Sequence, residues 1–194
     1  MVNQIKHDRE EVIKKAANLF WEKGFHATSM RNLQDHIDMR PGSIYAAFGS
    51  KEGLFKEALQ CYTNTNIALM QQCEAQASSP LNALKLFIKS IIKRPQENGA
   101  PSEVCMLVKT VSELTDENAD LLALSKQLLN MMEQGIETVL KRAQAQGEIS
   151  ASSDTRRLAQ FLQIQVIGLR AYMRANDDND CIDQLIDDAF SCIQ

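Results

Sequence analysis

The side chains best able to do chemistry cluster in one stretch, residues 28–48, TSMRNLQDHIDMRPGSIYAAF, and the chemistry they suit is contact with phosphate and with base edges. Arg31 offers a forked guanidinium that can bond both major-groove acceptors of guanine. Pro41 suits the first position of a helix, where its missing N–H costs nothing. The helix it opens presents Arg40, Pro41, Gly42, Ser43, Tyr45 and Ala46 around its N-terminus and outer side. Such an end carries partial positive charge and free N–H donors, Gly42 lets a backbone come close, and Ser43 and Tyr45 can donate hydroxyl hydrogen bonds. Thr28 and Ser29 stand at the entrance to the preceding helix, and Lys51 follows as a further phosphate contact. Lys6, His7 and Arg9 form either a short basic arm able to reach DNA or a solvated terminus.

Catalytic chemistry has no comparable constellation. The chain holds no G-x-S-x-G, no paired His and carboxylate motif and no phosphate loop. Its five cysteines, Cys61, Cys73, Cys105, Cys181 and Cys192, are odd in number and irregularly spaced, which suggests neither a disulfide framework nor a zinc site. The three histidines, His7, His26 and His36, add no metal-ligand spacing. No cofactor and no metal are expected.

Two short helices must position the candidate contacts. Met30, Leu33 and Ile37 recur at spacings of three and four and give the first an apolar face, with Thr28 or Ser29 as its N-cap. Asp38 tolerates the positive φ that ends it, and Arg40 is pushed out of the helical region by Pro41. In the second helix Ile44 and Phe48 face inward. A helix over residues 9–23, with Ile13, Ala16, Ala17 and Phe20 as its stripe, precedes this pair and ends at Gly24. Ser50 caps a long helix to Gln76.

No strand pattern follows. The periodicity predicts helices over residues 80–93, 102–114, 116–146, 154–175 and 179–193, with 94–101 (RPQENGAP) the clearest loop. The fold class is all-α, divided into residues 1–50, a three-helix unit holding the helix-turn-helix, and residues 51–194, a larger helical unit. The long helix from Lys51 is expected to connect them mechanically. The helix over 154–175 is apolar nearly all round, through Leu158, Phe161, Leu162, Ile164, Val166, Ile167, Leu169 and Tyr172. It and the last helix are expected to pair with their copies in a homodimer, through Phe161, Gly168, Tyr172, Ile182, Ile186 and Phe190, the alternative being that both are packed inside one subunit.

Residues 9–60 resemble the DNA-binding segment of the TetR family of transcriptional regulators: an amphipathic helix ending in LFWEKGFHATSM, then R-x-L, then G-S-I-Y-x-x-F-G-S-K-E-x-L. The chain departs from the family pattern at Asp38, where glycine is usual, at Arg40, where a small hydroxyl residue often stands, and at Ala46 and Ala47, where larger aromatic or imidazole side chains are frequent. The resemblance implies a DNA-binding domain followed by a ligand-binding and dimerisation domain. It also implies an effector seated among the helices of the second domain, where Met70, Cys105, Met106, Lys109, Met131, Met132, Phe161, Gln163 and Gln165 are candidate wall residues, each with a plain core role as the alternative. The segment EVCMLVKTVSEL further resembles a G-C-L-x-V-K type segment of some family members, including ones that sense electrophiles or oxidants through that cysteine. Cys105, about one turn into a helix starting near Ser102 and with Lys109 four residues on, is then either a sensing thiol or a packed one.

The net charge of −4 over 194 residues argues against a bulk nucleic-acid coat protein. Residues 1–60 hold nine Lys or Arg against eight Asp or Glu, and the remainder twelve against seventeen, so any basic surface is local. No apolar run approaches the ~20 residues that span a bilayer, and MVNQIKHDREEV lacks a signal-peptide core, so a cytoplasmic location and no membrane partner are expected. Three classes of function remain: a dimeric repressor that binds a palindromic double-stranded DNA operator and is released by a small-molecule effector, an all-helical enzyme using a cysteine, and a helical carrier without DNA binding. A mobility-shift assay with DNA flanking its own gene separates the first from the others.

Overall fold

Punctuation residues set the helix lengths at the N-terminal end of the chain. The structure, a computed structural model, describes residues 2–98, 100–177 and 179–193, with side chains described outside residues 2–8 and 94–98. Among the described residues it is helical throughout: α1 (Val2–Lys23), α2 (Met30–Ile37), α3 (Pro41–Phe48), α4 (Lys51–Gln76), α5 (Pro80–Asn98), α6 (Met106–Glu113), a 3₁₀ turn (Asp116–Asn118), α7 (Ala119–Ala145), α8 (Thr155–Ala175) and α9 (Ile182–Ser191). The all-α fold class expected from periodicity is the one observed.

Several boundaries differ from those read off the sequence. α5 does not stop at residue 93 but runs through Arg94 and Pro95 to Asn98. A proline that close to a helix end removes only one backbone bond, so the expected loop begins later. α6 starts at Met106 with Cys105 as its N-cap, not near Ser102, and α9 starts at Ile182 rather than 179. Lys6 and His7 lie outside the described side chains.

The chain divides into two compact units that also differ from a split at residue 50. The first is Met1–Thr65 with Cys105–Leu128, and the second is Asn66–Val104 with Leu129–Gln194. α4 and α7 each contribute one part to the first unit and the other to the second.

In the first unit, an aromatic cluster forms the centre. The rings of Phe20 and Phe25 lie 4.7 Å and 4.9 Å from that of Phe55, and Trp21 meets Tyr62 edge-on at 5.1 Å. Leu33, Ile37, Ile44 and Phe48 of α2 and α3 are buried with them. Gly53, in the first turn of α4, is fixed by packing: a Cβ there would stand 2.0 Å from the Phe48 carbonyl oxygen. The end of α3 and the start of α4 are therefore in direct backbone contact.

In the second unit, Leu84, Phe87, Ile88, Ile91 and Ile92 of α5 pack with Val139 and Leu140 of α7, Leu162 and Leu169 of α8, and Ile182, Ile186 and Phe190 of α9. Ile182, Ile186 and Phe190 were expected at a dimer surface, yet they are core residues of their own subunit. Helical periodicity identifies an apolar face without saying which chain covers it. The apolar side chains that α8 and α9 leave exposed are Ile164 at 65%, Tyr172 at 42% and Leu185 at 37%, with Gly168 exposed beside them and Phe161 half-buried. Lys85, Lys89 and Lys93 of α5 pair with Asp183 and Asp187 of α9 along the seam between those helices.

Candidate nucleic-acid interface

The turn between α2 and α3 is held by local bonds. Ser29 caps α2: its Oγ accepts from the Asn32 N–H at 3.1 Å, and the Asn32 side chain accepts in return from the Ser29 N–H at 3.0 Å. Satisfying two free N–H groups in this way contributes roughly 1 kcal/mol to the helix start. At the other end Asp38 adopts φ 53°, ψ 46°, the left-handed region, and its N–H returns to the Gln34 carbonyl. Arg40 is extended at φ −70°, ψ 150° and makes no side-chain cap. Pro41 has no N–H, and those of Ser43 and Ile44 donate to the Arg40 carbonyl at 3.0 Å and 3.1 Å, so the N–H that the first turn of α3 can offer a phosphate is that of Gly42.

Ile44 and Phe48 anchor α3, and the rest of it faces outward. Arg31, Arg40, Pro41, Gly42, Ser43, Ala46 and Ala47 are exposed, and the Tyr45 ring is half-exposed. The expected contacts Ser29, Arg31, Arg40, Pro41, Gly42, Ser43, Tyr45 and Ala46 are thus all exposed, on or beside α2 and α3. Ala47 is exposed as well.

Two expected contacts have other duties. Thr28 is fully buried, and its Oγ1 donates to the Gly24 carbonyl at 2.6 Å; its hydroxyl stabilises the turn before α2 and is unavailable to DNA. Lys51 is half-buried with Nζ 4.3 Å from the centre of the Phe25 ring, and burial pushes its ammonium below the usual lysine value. A phosphate contact by Lys51 requires it to leave that seat. Arg9 is likewise no free arm. Its guanidinium bonds both carboxylate oxygens of Glu57, donates to the Ala47 carbonyl at 3.4 Å and lies 4.7 Å over the Phe48 ring. It ties α1 to the last turn of α3 and to α4.

Sequence reading also missed what holds the approach to α2. From α6, Lys109 Nζ donates to the carbonyls of Trp21 and Glu22 at 3.2 Å and 2.7 Å. One turn on, Glu113 accepts from the N–H groups of Phe25 and His26 at 3.0 Å and 2.6 Å. A cation on the carbonyl end of α1 and an anion on the free N–H groups beyond it each match the local dipole. Lys109 was expected at an effector and is instead a cap for α1.

The remaining effector candidates are divided between the two units. Cys105 and Met106 are buried in the first unit, with the Tyr62 hydroxyl 3.4 Å from Cys105 Sγ. In the second unit Met70 and Phe161 pack against the core, Met132 and Gln165 are half-buried, and Met131 is exposed. Gln163 donates to the Leu129 carbonyl at 3.0 Å. An open acidic depression in the first unit is lined by Glu52, Lys56, Asp116, Glu117 and Asp120 and includes none of these candidates.

Comparison with known proteins places this geometry. The sequence pattern described as bacterial regulatory proteins, tetR family, matches residues 12–58. The pattern described as tetracyclin repressor-like, C-terminal domain, matches residues 80–188, more than half of the chain. The chain is 29% identical over 163 residues to the HTH-type transcriptional repressor ComR of Escherichia coli, covering 84% of this chain and 77% of that one. It is 24% identical over 190 residues to the uncharacterized HTH-type transcriptional regulator YezE of Bacillus subtilis, covering 96% of each. Among solved structures, a cysteine mutant of the TetR family regulator CifR, complexed with 26-bp double-strand operator DNA, shares the fold with a TM-score of 0.86 at 23% identity, over 96% of both chains. With both patterns matched in chain order and the helix-turn-helix intact, this protein belongs to the TetR family and is a DNA-binding transcriptional regulator, not an enzyme.

Proposed function

We propose that the protein is a cytoplasmic, dimeric repressor that binds a near-palindromic operator and leaves it when a small molecule binds. The observation that supports this most is the α2–α3 surface: a capped pair of short helices whose exposed side carries two arginines, two hydroxyls and the open N-terminus of α3. Two copies would dock α3 into successive major grooves, with half-sites about one helical turn or a little more apart. The exposed apolar side chains of α8 and α9 support the dimer, since Ile164 and Tyr172, about two turns apart on α8, and Leu185 on α9 are left for a second copy to cover.

Among the described residues no helix is long and apolar enough to cross a membrane, which fits the location proposed. Release by an effector follows from differential affinity: a ligand that favours a non-binding spacing of the two DNA-reading heads must itself be weakened by DNA, by the same factor. The alternative of sensing through Cys105 has less support, because the thiol is only 8% exposed. A mobility-shift titration with duplexes from both flanks of its own gene tests the operator reading. Sequence-selective retardation is expected, and binding no stronger than to unrelated DNA would overturn it. A thermal-shift screen of small molecules, followed by the same titration, tests release.

A further inference from the structure

α3 has an unusually flat outer face. Residues advance about 100° along a helix, so Ala46 lies opposite the midpoint of the buried pair Ile44 and Phe48, and Gly42 stands one turn before it. Neither reaches beyond a Cβ. Gly42 is not required by the fold: its φ is outside the left-handed region, and a Cβ added to it would meet nothing within 4 Å. A helical glycine costs roughly 0.5–1 kcal/mol relative to alanine. Gly53 shows the contrasting case, a glycine held by its own chain. At Gly42, as at Gly135 and Gly168, the fold leaves room for a side chain, but Gly42 lies on the face proposed to meet DNA, where the missing side chain permits a close approach.

The outer face of α3 also lacks any amide, guanidinium or carboxylate with which to read base edges. Its hydroxyls, Ser43 and Tyr45, flank the face and suit phosphate. Arg31 and Arg40 lie before it, on α2 and at the α3 N-cap. An alanine methyl has one complementary feature in the major groove, the C5-methyl of thymine.

Resting on the operator reading above, we infer that α3 reads its half-site through thymine methyl groups packed on Ala46, with Gly42 setting how deeply the helix enters the groove. Guanine readout falls to Arg31 and Arg40 at the entrance. Ala46 is then a specificity-determining residue, and the half-site carries an A·T pair at the position facing it.

The test uses the full-length protein and a duplex from its own flank, cut down by footprinting, in which each thymine is replaced in turn by deoxyuridine. Loss of one methyl contact is expected to weaken binding about fourfold at one or two positions per half-site. In Ala46→Gly that loss should vanish. Ala46→Asn, which keeps the helix should the glycine variant loosen it, should also be indifferent to the methyl group and shift preference toward adenine at the same position. Gly42→Ala should melt no lower than wild type yet bind every duplex about tenfold or more weakly. Equal affinity for all deoxyuridine duplexes, a deoxyuridine loss undiminished in both Ala46 variants, or full DNA affinity in Gly42→Ala would each overturn the inference. Wild-type protein that selects no duplex from either flank would instead overturn the operator reading beneath it.

Discussion

At the scale of single residues, burial separates side chains that look alike in sequence. Arg31 is exposed on the first turn of α2, so Arg31→Ala should leave the melting temperature unchanged and cost roughly 1–3 kcal/mol of binding at one base pair. Thr28, three residues earlier, should do the reverse. Its hydroxyl satisfies the Gly24 carbonyl inside the first unit, so Thr28→Val should lower stability by roughly 1–3 kcal/mol while the folded fraction binds DNA normally. Denaturant melts paired with affinity titrations check both, and a Thr28→Val protein of native stability but weakened DNA affinity would restore it to the contact surface. The exposure of Arg31, Gly42 and Tyr45 could be read in sequence because it depends on signals a few residues away: Ser29 with Asn32, Asp38, and Pro41. The burial of Thr28 and the seat of Lys51 were not legible, because they depend on what packs around them, the Gly24 turn and the Phe25 ring.

Whole elements show the same division between local and distant causes. Lys109 and Glu113 are a plain i, i+4 pair in sequence, and nothing in that spacing shows that they grip Trp21, Glu22, Phe25 and His26, some 87 or 88 residues away. Because these bonds fix the segment leading into α2, Glu113→Gln and Lys109→Met should each lower the stability of the first unit and weaken DNA binding. Hydrogen exchange should rise at Phe25 and His26 before it rises in α5 or α9; exchange rising evenly through the chain would argue against a local hold. The α5–α9 seam has a different signature. Hydrogen bonds from Lys93 to Asp183 and from Lys85 to Asp187, with Lys89 reaching both, hold these carboxyls below the usual carboxylate range. A carboxyl depressed in the folded state stabilises above its unfolded value, about pH 4, and that contribution fades as pH falls through the lower folded value. A melting series between pH 7 and pH 3 should therefore show a stability loss at the acid end that Asp183→Asn with Asp187→Asn reduces. The pairs are exposed, so salt should shrink the difference.

On the scale of the whole molecule, the proposed dimer divides the apolar residues of α8 and α9 between a subunit's own core and a neighbour. Sequence periodicity marked α8 as too apolar for an isolated chain and α9 as apolar on one side, but could not say which of their apolar residues a subunit's own core covers, because buried and exposed apolar residues carry the same hydrophobic signal. Burial divides them. Ile186 is fully enclosed by its own subunit, whereas Ile164 is 65% exposed. A charge placed on each should then give different failures. Ile186→Glu puts a carboxylate into the core of the second unit, a change of the kind that costs several kcal/mol, and should leave unfolded or aggregated protein. Ile164→Glu, alone or with Tyr172→Glu, should remain helical, with a nearly native melt, and elute as a monomer. Because one head contributes only one half-site, that monomer should lose most of its operator affinity while retaining weak, salt-sensitive binding to any duplex. Sedimentation equilibrium beside an operator titration reads both properties in one preparation. A monomeric Ile164→Glu protein with undiminished operator affinity would separate DNA recognition from dimerisation, and a dimeric one would place the partner's contact elsewhere on the subunit.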